Sequence, residues 1–311
     1  MIQMKKEKIS LKKGEELFIV DCRIRNLADK TIDYYEEEYH YFVEYIENDN
    51  IIVDKINSEV IDNYIMFMKN KNLKETTINI RLRGLRSILY FLMNNDYMEN
   101  FKIRLVEEGE VIQKTYTKEE IKKLLKKPNL KKCSFAEYRT WVLENFLVAT
   151  GVRSRSLRNI KIDDLDFENE IIYIMTTKNR KSIIIPMSKT LKKILLEYLQ
   201  IRGKEGQDYL FCNLEGEKLT EYALKNIISK YNKKRGINKT GVHLFRHYYA
   251  KEYIKNGGDC LKLKKLLGHS SLEMTQVYVD LYATDLQENY SNLNPLDVLN
   301  GNVEKIKMRA V

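Results

Sequence analysis

The chain has 311 residues, enough for two domains of ordinary size. Hydrophobic residues make up 43% and charged residues 32%, which excludes a disordered chain, and no uncharged apolar run approaches the roughly 20 residues of a membrane helix. Net charge is +10, yet residues 1–116 carry 18 Lys/Arg against 21 Asp/Glu and the remainder 36 against 23. A basic second half fits a polyanionic partner such as nucleic acid, or a solvated lysine-rich surface. The start, MIQMKKEKIS, has charge without an apolar core and does not read as a signal peptide. Cys22, Cys133, Cys212 and Cys260 form no CxxC pair. A disulfide framework and a zinc ribbon are thereby disfavoured, and reduced thiols in a cytoplasm are expected.

In chain order, Ile32, Tyr35, Tyr39, Phe42 and Ile46 make one helical stripe. Ile61, Tyr64, Ile65 and Met68 make a second, with Asn57 as N-cap. Ile78, Leu82, Leu85, Leu89 and Leu92 make a third. On that helix Asn79, Arg83 and Arg86 share another face, with Arg81 nearby. The face is either solvated or laid on a DNA backbone, where arginines meet phosphates. Three or four helices thus form a small domain before residue 100. Helical period is lost over 101–116, and a linker is placed at 107–116. Thr117 with Glu120 predicts a capping box that opens a second domain. An apolar helix around Tyr138–Val148 stops at Gly151.

Next, 170–174 and 182–185 read as a hairpin with a cationic tip, Thr177-Lys178-Asn179-Arg180-Lys181. Tyr209–Cys212 suggests a further short strand. Helices follow at Leu191–Leu199, at Leu224–Tyr231, from His243 towards Gly257, and at Leu261–Leu267. Ser270 with Glu273 predicts a second capping box before a helix carrying Thr275 and Tyr278.

Three of the four histidines, His243, His247 and His269, fall close together, and His243 with Arg246 is spaced to share one helix face. Arg153 follows the apolar helix at a turn, where burial is costly unless an anion or carboxylate meets it. Positions 156 and 157 are Ser and Leu, so no acid stands one turn away; an external anion, Asp163, Asp164 or a remote Glu are the candidates to meet it.

The ordered set Ala149-Thr150-Gly151-Val152-Arg153, Thr177–Lys181 running into Pro186, His243-Leu244-Phe245-Arg246-His247, Leu267-Gly268-His269, and Tyr278 nine residues later resembles the tyrosine recombinases, or phage integrases. The resemblance covers nearly the whole chain. It implies a mainly α protein: a helical, SAM-like core-binding domain at 1–106, and at 117–290 a mixed α/β, mostly helical catalytic domain with a small antiparallel sheet. Residues 291–311 would be a tail packing on a neighbouring subunit or a frayed end.

The resemblance further implies Tyr278 as nucleophile, Arg153 and Arg246 on the scissile phosphate, Lys178 as acid on the hairpin, and His243 and His269 completing the site. The chemistry fits those residue types. A phosphodiester attacked in line develops charge on its equatorial oxygens, which guanidinium forks answer with paired hydrogen bonds. A phenol, with a reference pKa of about 10, needs a base and a positive field; His243 is the expected base, and His269 an expected donor to phosphate. No Asp/Glu cluster with metal spacing accompanies them, so neither metal nor other cofactor is expected, and a phosphotyrosine link conserves the bond energy without ATP. Expected partners are double-stranded DNA with short inverted-repeat core sites, three further copies in a homotetramer, and optional accessory proteins, with no membrane.

Two departures stand out. Ser156 replaces the acid the family usually carries three residues after the first arginine, and no arm-binding domain is expected before the core-binding pattern, as in Xer-type and small mobile-element enzymes of bacteria or phages. Arg155, Arg158, Arg180, Lys181 and Lys262, Lys264 and Lys265 are either DNA contacts or solvated charge. His247 is expected to be structural. Tyr282, one turn past Tyr278, is the rival nucleophile. Ser156 leaves open a catalytically impaired DNA-binding accessory protein or repressor, and the shared chemistry leaves open a relaxing topoisomerase.

Overall fold

The structure is a computed structural model and describes residues 8–109, 115–175, 182–203 and 208–282. The chain divides into two compact units, Met1–Ile112 and Gln113–Val311.

The first unit is a four-helix cluster: α1 (Leu11–Ile24), α2 (Asp29–Ile46), α3 (Ser58–Asn70) and α4 (Glu75–Asn94). The caps are local. Ser10 Oγ accepts from the Lys13 amide at 3.2 Å, and Asn57 Oδ1 from the Val60 amide at 3.0 Å. The expected stripes all turn inwards, and Phe42, Tyr64, Leu82, Leu89 and Leu92 are completely buried. At Gly84, α4 comes so close to α2 that an added Cβ would lie 2.7 Å from Glu38 Cγ, so the contact needs a residue without a side chain.

The helical face shared by Asn79 and Arg83 has an intramolecular use. Asn79, 2% exposed, donates from Nδ2 to the Val106 carbonyl at 2.8 Å and to Glu108 Oε1 at 2.6 Å, while its Oδ1 accepts from the Val106 amide at 2.9 Å. Ile103 is buried on the same core. The stretch after α4 thus lacks regular structure but is strapped down to residue 108.

The second unit contains α5 (Lys118–Leu124), α6 (Phe135–Thr150), α7 (Ser154–Asn159), α8 (Lys189–Arg202), α9 (Glu221–Lys234), α10 (Val242–Lys255), α11 (Cys260–Leu267) and α12 (Glu273–Tyr282). Its core takes in Tyr116, completely buried, whose hydroxyl donates to the Lys239 carbonyl at 3.1 Å. Residues 110–114 of the expected linker lie outside the described residues. The capping box at α5 forms both ways: Glu120 N to Thr117 Oγ1 at 3.2 Å, and Thr117 N to Glu120 Oε2 at 2.7 Å.

Strands β1 (Leu165–Asp166), β2 (Ile171–Ile174) and β3 (Ile183–Pro186) make one antiparallel sheet in that order, with Ile172 opposite Ile185 and Tyr173 opposite Ile184. Two expectations need correction. Tyr209–Cys212 is not a sheet strand and makes only isolated bridges to Lys161 and Lys218. Side chains claim its carbonyls: Arg202 donates to that of Tyr209 at 2.9 Å, Tyr198 to that of Leu210 at 3.2 Å, and Arg139 to that of Cys212. The Ser270 cap is the other: Ser270 Oγ lies 3.6 Å from Met274 Sδ, and α12 starts only at Glu273, with the Leu272 carbonyl taking the Thr275 and Gln276 amides.

Candidate active site

The site is built on turns in the second unit. Helix α6 is buried over most of its surface, Arg139 and Glu144 included. It ends at Gly151 with φ +60°, a left-handed conformation that side chains rarely adopt, and a Cβ there would lie 2.7 Å from the Tyr249 ring. That turn sends Val152 into the core and leaves Arg153 half-buried as the residue before α7. Arg153 Nη2 donates to the Gly268 carbonyl at 3.0 Å. Arg246, on α10, is 6% exposed and donates from Nη1 to the Gly151 carbonyl at 2.9 Å and from Nη2 to the Leu267 carbonyl at 2.7 Å. The two guanidiniums are thus held by three main-chain carbonyls of the turns at 151 and 267–268.

Among the described residues neither arginine has an ion pair with a carboxylate. Burial, and then the neighbouring Arg153, pulls Arg246 down to about 9, with Tyr278 acting the other way; burial also lowers Arg153. Buried cations left without a countercharge are unfavourable, and such a pocket favours an anion. Ser156 is buried beside this turn. The carbonyls do the orienting that an acid at that position would share in.

Two imidazoles adjoin the pair. His269 is 9% exposed, and its Nδ1 lies 2.8 Å from the hydroxyl of the buried Thr275. Burial, and then Arg246 and Arg153, push its pKa down to about 4, so the ring is neutral at physiological pH. On α10, His247 is half-buried and its Nδ1 lies 2.7 Å from the Tyr278 hydroxyl. Its pKa is lowered by burial, then by His243 and Arg246. Tyr278 is 6% exposed, with Ala250, Leu263 and Leu267 around it.

The structure places the two α10 histidines differently with respect to the Tyr278 hydroxyl. His247, expected to be structural, is the imidazole on the nucleophile candidate; His243, expected to be the base, is exposed in the first turn of the helix. The i, i+4 spacing of His243 and His247 contained that signal, since it puts both rings on one face.

Lys178, Arg180 and Lys181 lie outside the described residues. The stem of their hairpin is described: Ile183 comes within 3.5 Å of where a Cβ on Gly268 would be, so β3 borders the turn that holds Arg153.

Of the arginines expected on DNA, the three on α4 have protein neighbours. The Arg81 guanidinium lies 3.6 Å from the Tyr41 ring centroid, Arg83 is 3.4 Å from Glu108 Oε1, and Arg86 is 5.8 Å from the Tyr90 ring centroid. Arg155 is exposed on α7. The sequence reading missed Lys218. Its pKa is lowered by burial and then by Arg158 and Arg155, which marks a cluster of three cations. Lys218 is far from them along the chain and has no motif around it.

Residues 114–285 match the phage integrase family, and residues 19–104 match the phage integrase SAM-like domain. The chain belongs to the phage integrase family. Among curated relatives of this integrase, Tyrosine recombinase XerD of Listeria monocytogenes is 28% identical, over 87% of this chain and 94% of the relative. Tyrosine recombinase XerC of Staphylococcus epidermidis is 25% identical, over 91% and 97%.

Among solved structures, the Tn1549 transposon integrase in complex with circular intermediate DNA has a TM-score of 0.71 at 19% identity, covering 92% of this chain and 99% of that one. The XerH recombinase bound to a palindromic difH substrate in a post-cleavage complex has a TM-score of 0.69 at 24% identity, covering 86% and 81%. At these identities the structures establish a shared fold. Within that fold, the integrase has a carbonyl-held arginine pair, an imidazole coupled to both arginines, and a second imidazole on the Tyr278 phenol.

Proposed function

We propose that this tyrosine recombinase cuts and rejoins double-stranded DNA at specific sites through Tyr278. The observation that carries this reading is the pairing of the half-buried Arg153 with the buried Arg246, beside His269 and without a carboxylate partner among the described residues. A pocket of that kind is complementary to a phosphodiester whose equatorial oxygens gain charge during attack. The Tyr278 oxygen forms a bond to phosphorus as the bond to the 5′-oxygen breaks. The phenolic proton passes to the adjoining imidazole, and Lys178 supplies the proton to the leaving 5′-oxygen. The product is a 3′-phosphotyrosyl link, which the 5′-hydroxyl of a partner strand reverses. Each arginine contributes paired, charge-assisted hydrogen bonds that a lysine cannot reproduce.

Four protomers on two short inverted-repeat sites, and duty on a mobile element or in Xer-like resolution, complete the proposal. The reading as an impaired accessory protein rests on Ser156; against it speaks that carbonyls hold both arginines, that of Gly268 holding Arg153 and those of Gly151 and Leu267 holding Arg246. The test is a nicked suicide duplex, taken from inverted repeats flanking the gene, incubated in EDTA. Wild type should form a covalent protein–DNA adduct, and Tyr278→Phe should form none. Normal binding with no adduct would instead favour the accessory-protein reading.

A further inference from the structure

A neutral imidazole donates from one nitrogen only, and the partner of the other nitrogen decides which. His269 Nδ1 lies 2.8 Å from Thr275 Oγ1. Thr275 is completely buried, so its hydroxyl proton needs an acceptor inside the protein. Two other buried threonines meet that need within their own helix: Thr140 donates to the Ala136 carbonyl at 2.7 Å, and Thr150 to that of Phe146 at 2.7 Å. Thr275 makes no bond of that kind, and among the described residues its hydroxyl meets His269 Nδ1 alone. The hydroxyl must therefore donate and Nδ1 accept, which leaves the ring proton on Nε2.

We propose that Thr275 is a positioning residue that locks His269 in the Nε2–H tautomer, so that the ring offers a proton, rather than a lone pair, to a phosphate held by Arg153 and Arg246. The identity of that phosphate rests on the recombinase reading; the tautomer does not. Because burial, and then Arg246 and Arg153 beside it, keep the ring uncharged, tautomer choice decides whether it attracts or repels an anionic oxygen. Thr275 also lies three residues before Tyr278 on α12, so one turn of helix both sets this ring and carries the nucleophile.

Full-length protein labelled with nitrogen-15 at histidine tests the tautomer without DNA. Long-range proton–nitrogen correlation spectra at neutral pH report which ring nitrogen bears the proton, and loss of signals in His269→Gln assigns the ring. Wild type and Thr275→Ser should show Nε2–H. Thr275→Val, which keeps the shape and removes the hydroxyl, should show a mixture or the Nδ1–H form. A wild-type ring protonated on Nδ1, or a valine variant still purely Nε2–H, overturns the proposal. On the suicide duplex, Thr275→Val should slow single-turnover adduct formation about 10–100-fold with unchanged DNA affinity, and Thr275→Ser should stay within about threefold of wild type. Equal rates for wild type and Thr275→Val overturn the positioning role. Should wild type form no adduct, the recombinase reading falls while the spectra still decide the tautomer. Should Thr275→Val not fold, the wild-type and serine spectra decide it.

Discussion

Glu38 in the first unit and the arginine pair in the second answer burial in opposite ways, although the second unit also buries a carboxyl, Glu144, that burial pushes towards its protonated form. In the first unit, Glu38 is 5% exposed and one of its carboxylate oxygens has no partner. Burial pushes it up to about 7, against the pull of Arg81 and with help from Glu37. The carboxyl answers burial by keeping its proton. In the second unit, Arg153 and Arg246 cannot discharge under physiological conditions. They are held by carbonyls and left short of a countercharge. A buried group that can shed its charge is compatible with plain scaffolding. A buried group that cannot, and that has no countercharge among the described residues, marks a place for something from outside.

Removing one arm of the cation pair should have the largest effect. Arg246→Ala leaves the Gly151 and Leu267 carbonyls without their donor, and adduct formation should fall at least ~10³-fold in single-turnover assays. A fall of tenfold or less would mean that the pocket does not hold the phosphate. On the scaffold side, Gly84→Ala forces a Cβ to within 2.7 Å of Glu38 Cγ. It should destabilise the first unit by about 1–3 kcal/mol in thermal or denaturant unfolding.

Glu38→Gln tests the discharge argument directly. Wild-type Glu38 holds its proton up to about pH 7 when folded, but only into the ordinary carboxylate range when unfolded. The folded state therefore binds more protons between those values, and wild-type stability falls as pH rises through that window. The advantage of the glutamine variant should be smallest at about pH 4 and grow until it levels off near 7. A flat difference across that range would break the comparison. The smallest effect is expected at the exposed Arg155 of α7. Arg155→Ala should lower the salt dependence of DNA binding by about one released counterion and leave the chemical step intact.

The chain announced some of this openly. Stripes such as Ile78–Leu82–Leu85–Leu89–Leu92 became the buried face of α4 because apolar side chains at helical spacing have nowhere else to go. The Thr117–Glu120 box and the β2–β3 pairing were readable for the same local reason. The integrase landmarks were readable because their order and intervals are specific. The atoms that hold the arginines were not, since every residue has a carbonyl and its direction depends on how the chain bends. The clasp of Asn79 on Val106 was hidden too, because an amide that binds backbone looks in sequence like any polar residue on an outer face. Lys218 meets Arg155 and Arg158 only through tertiary structure.

The bend at Gly151 has an evolutionary consequence. A carboxylate that steadies an arginine can be lost by one nucleotide change, whereas a peptide oxygen cannot be deleted by any substitution. It can only be re-aimed. With the Gly268 carbonyl as an anchor for Arg153, drift at position 156 becomes tolerable, while Arg246 leans on Gly151, a residue that has no functional group of its own. Any side chain at 151 would strain φ and meet the Tyr249 ring, tilting the oxygen on which the guanidinium rests.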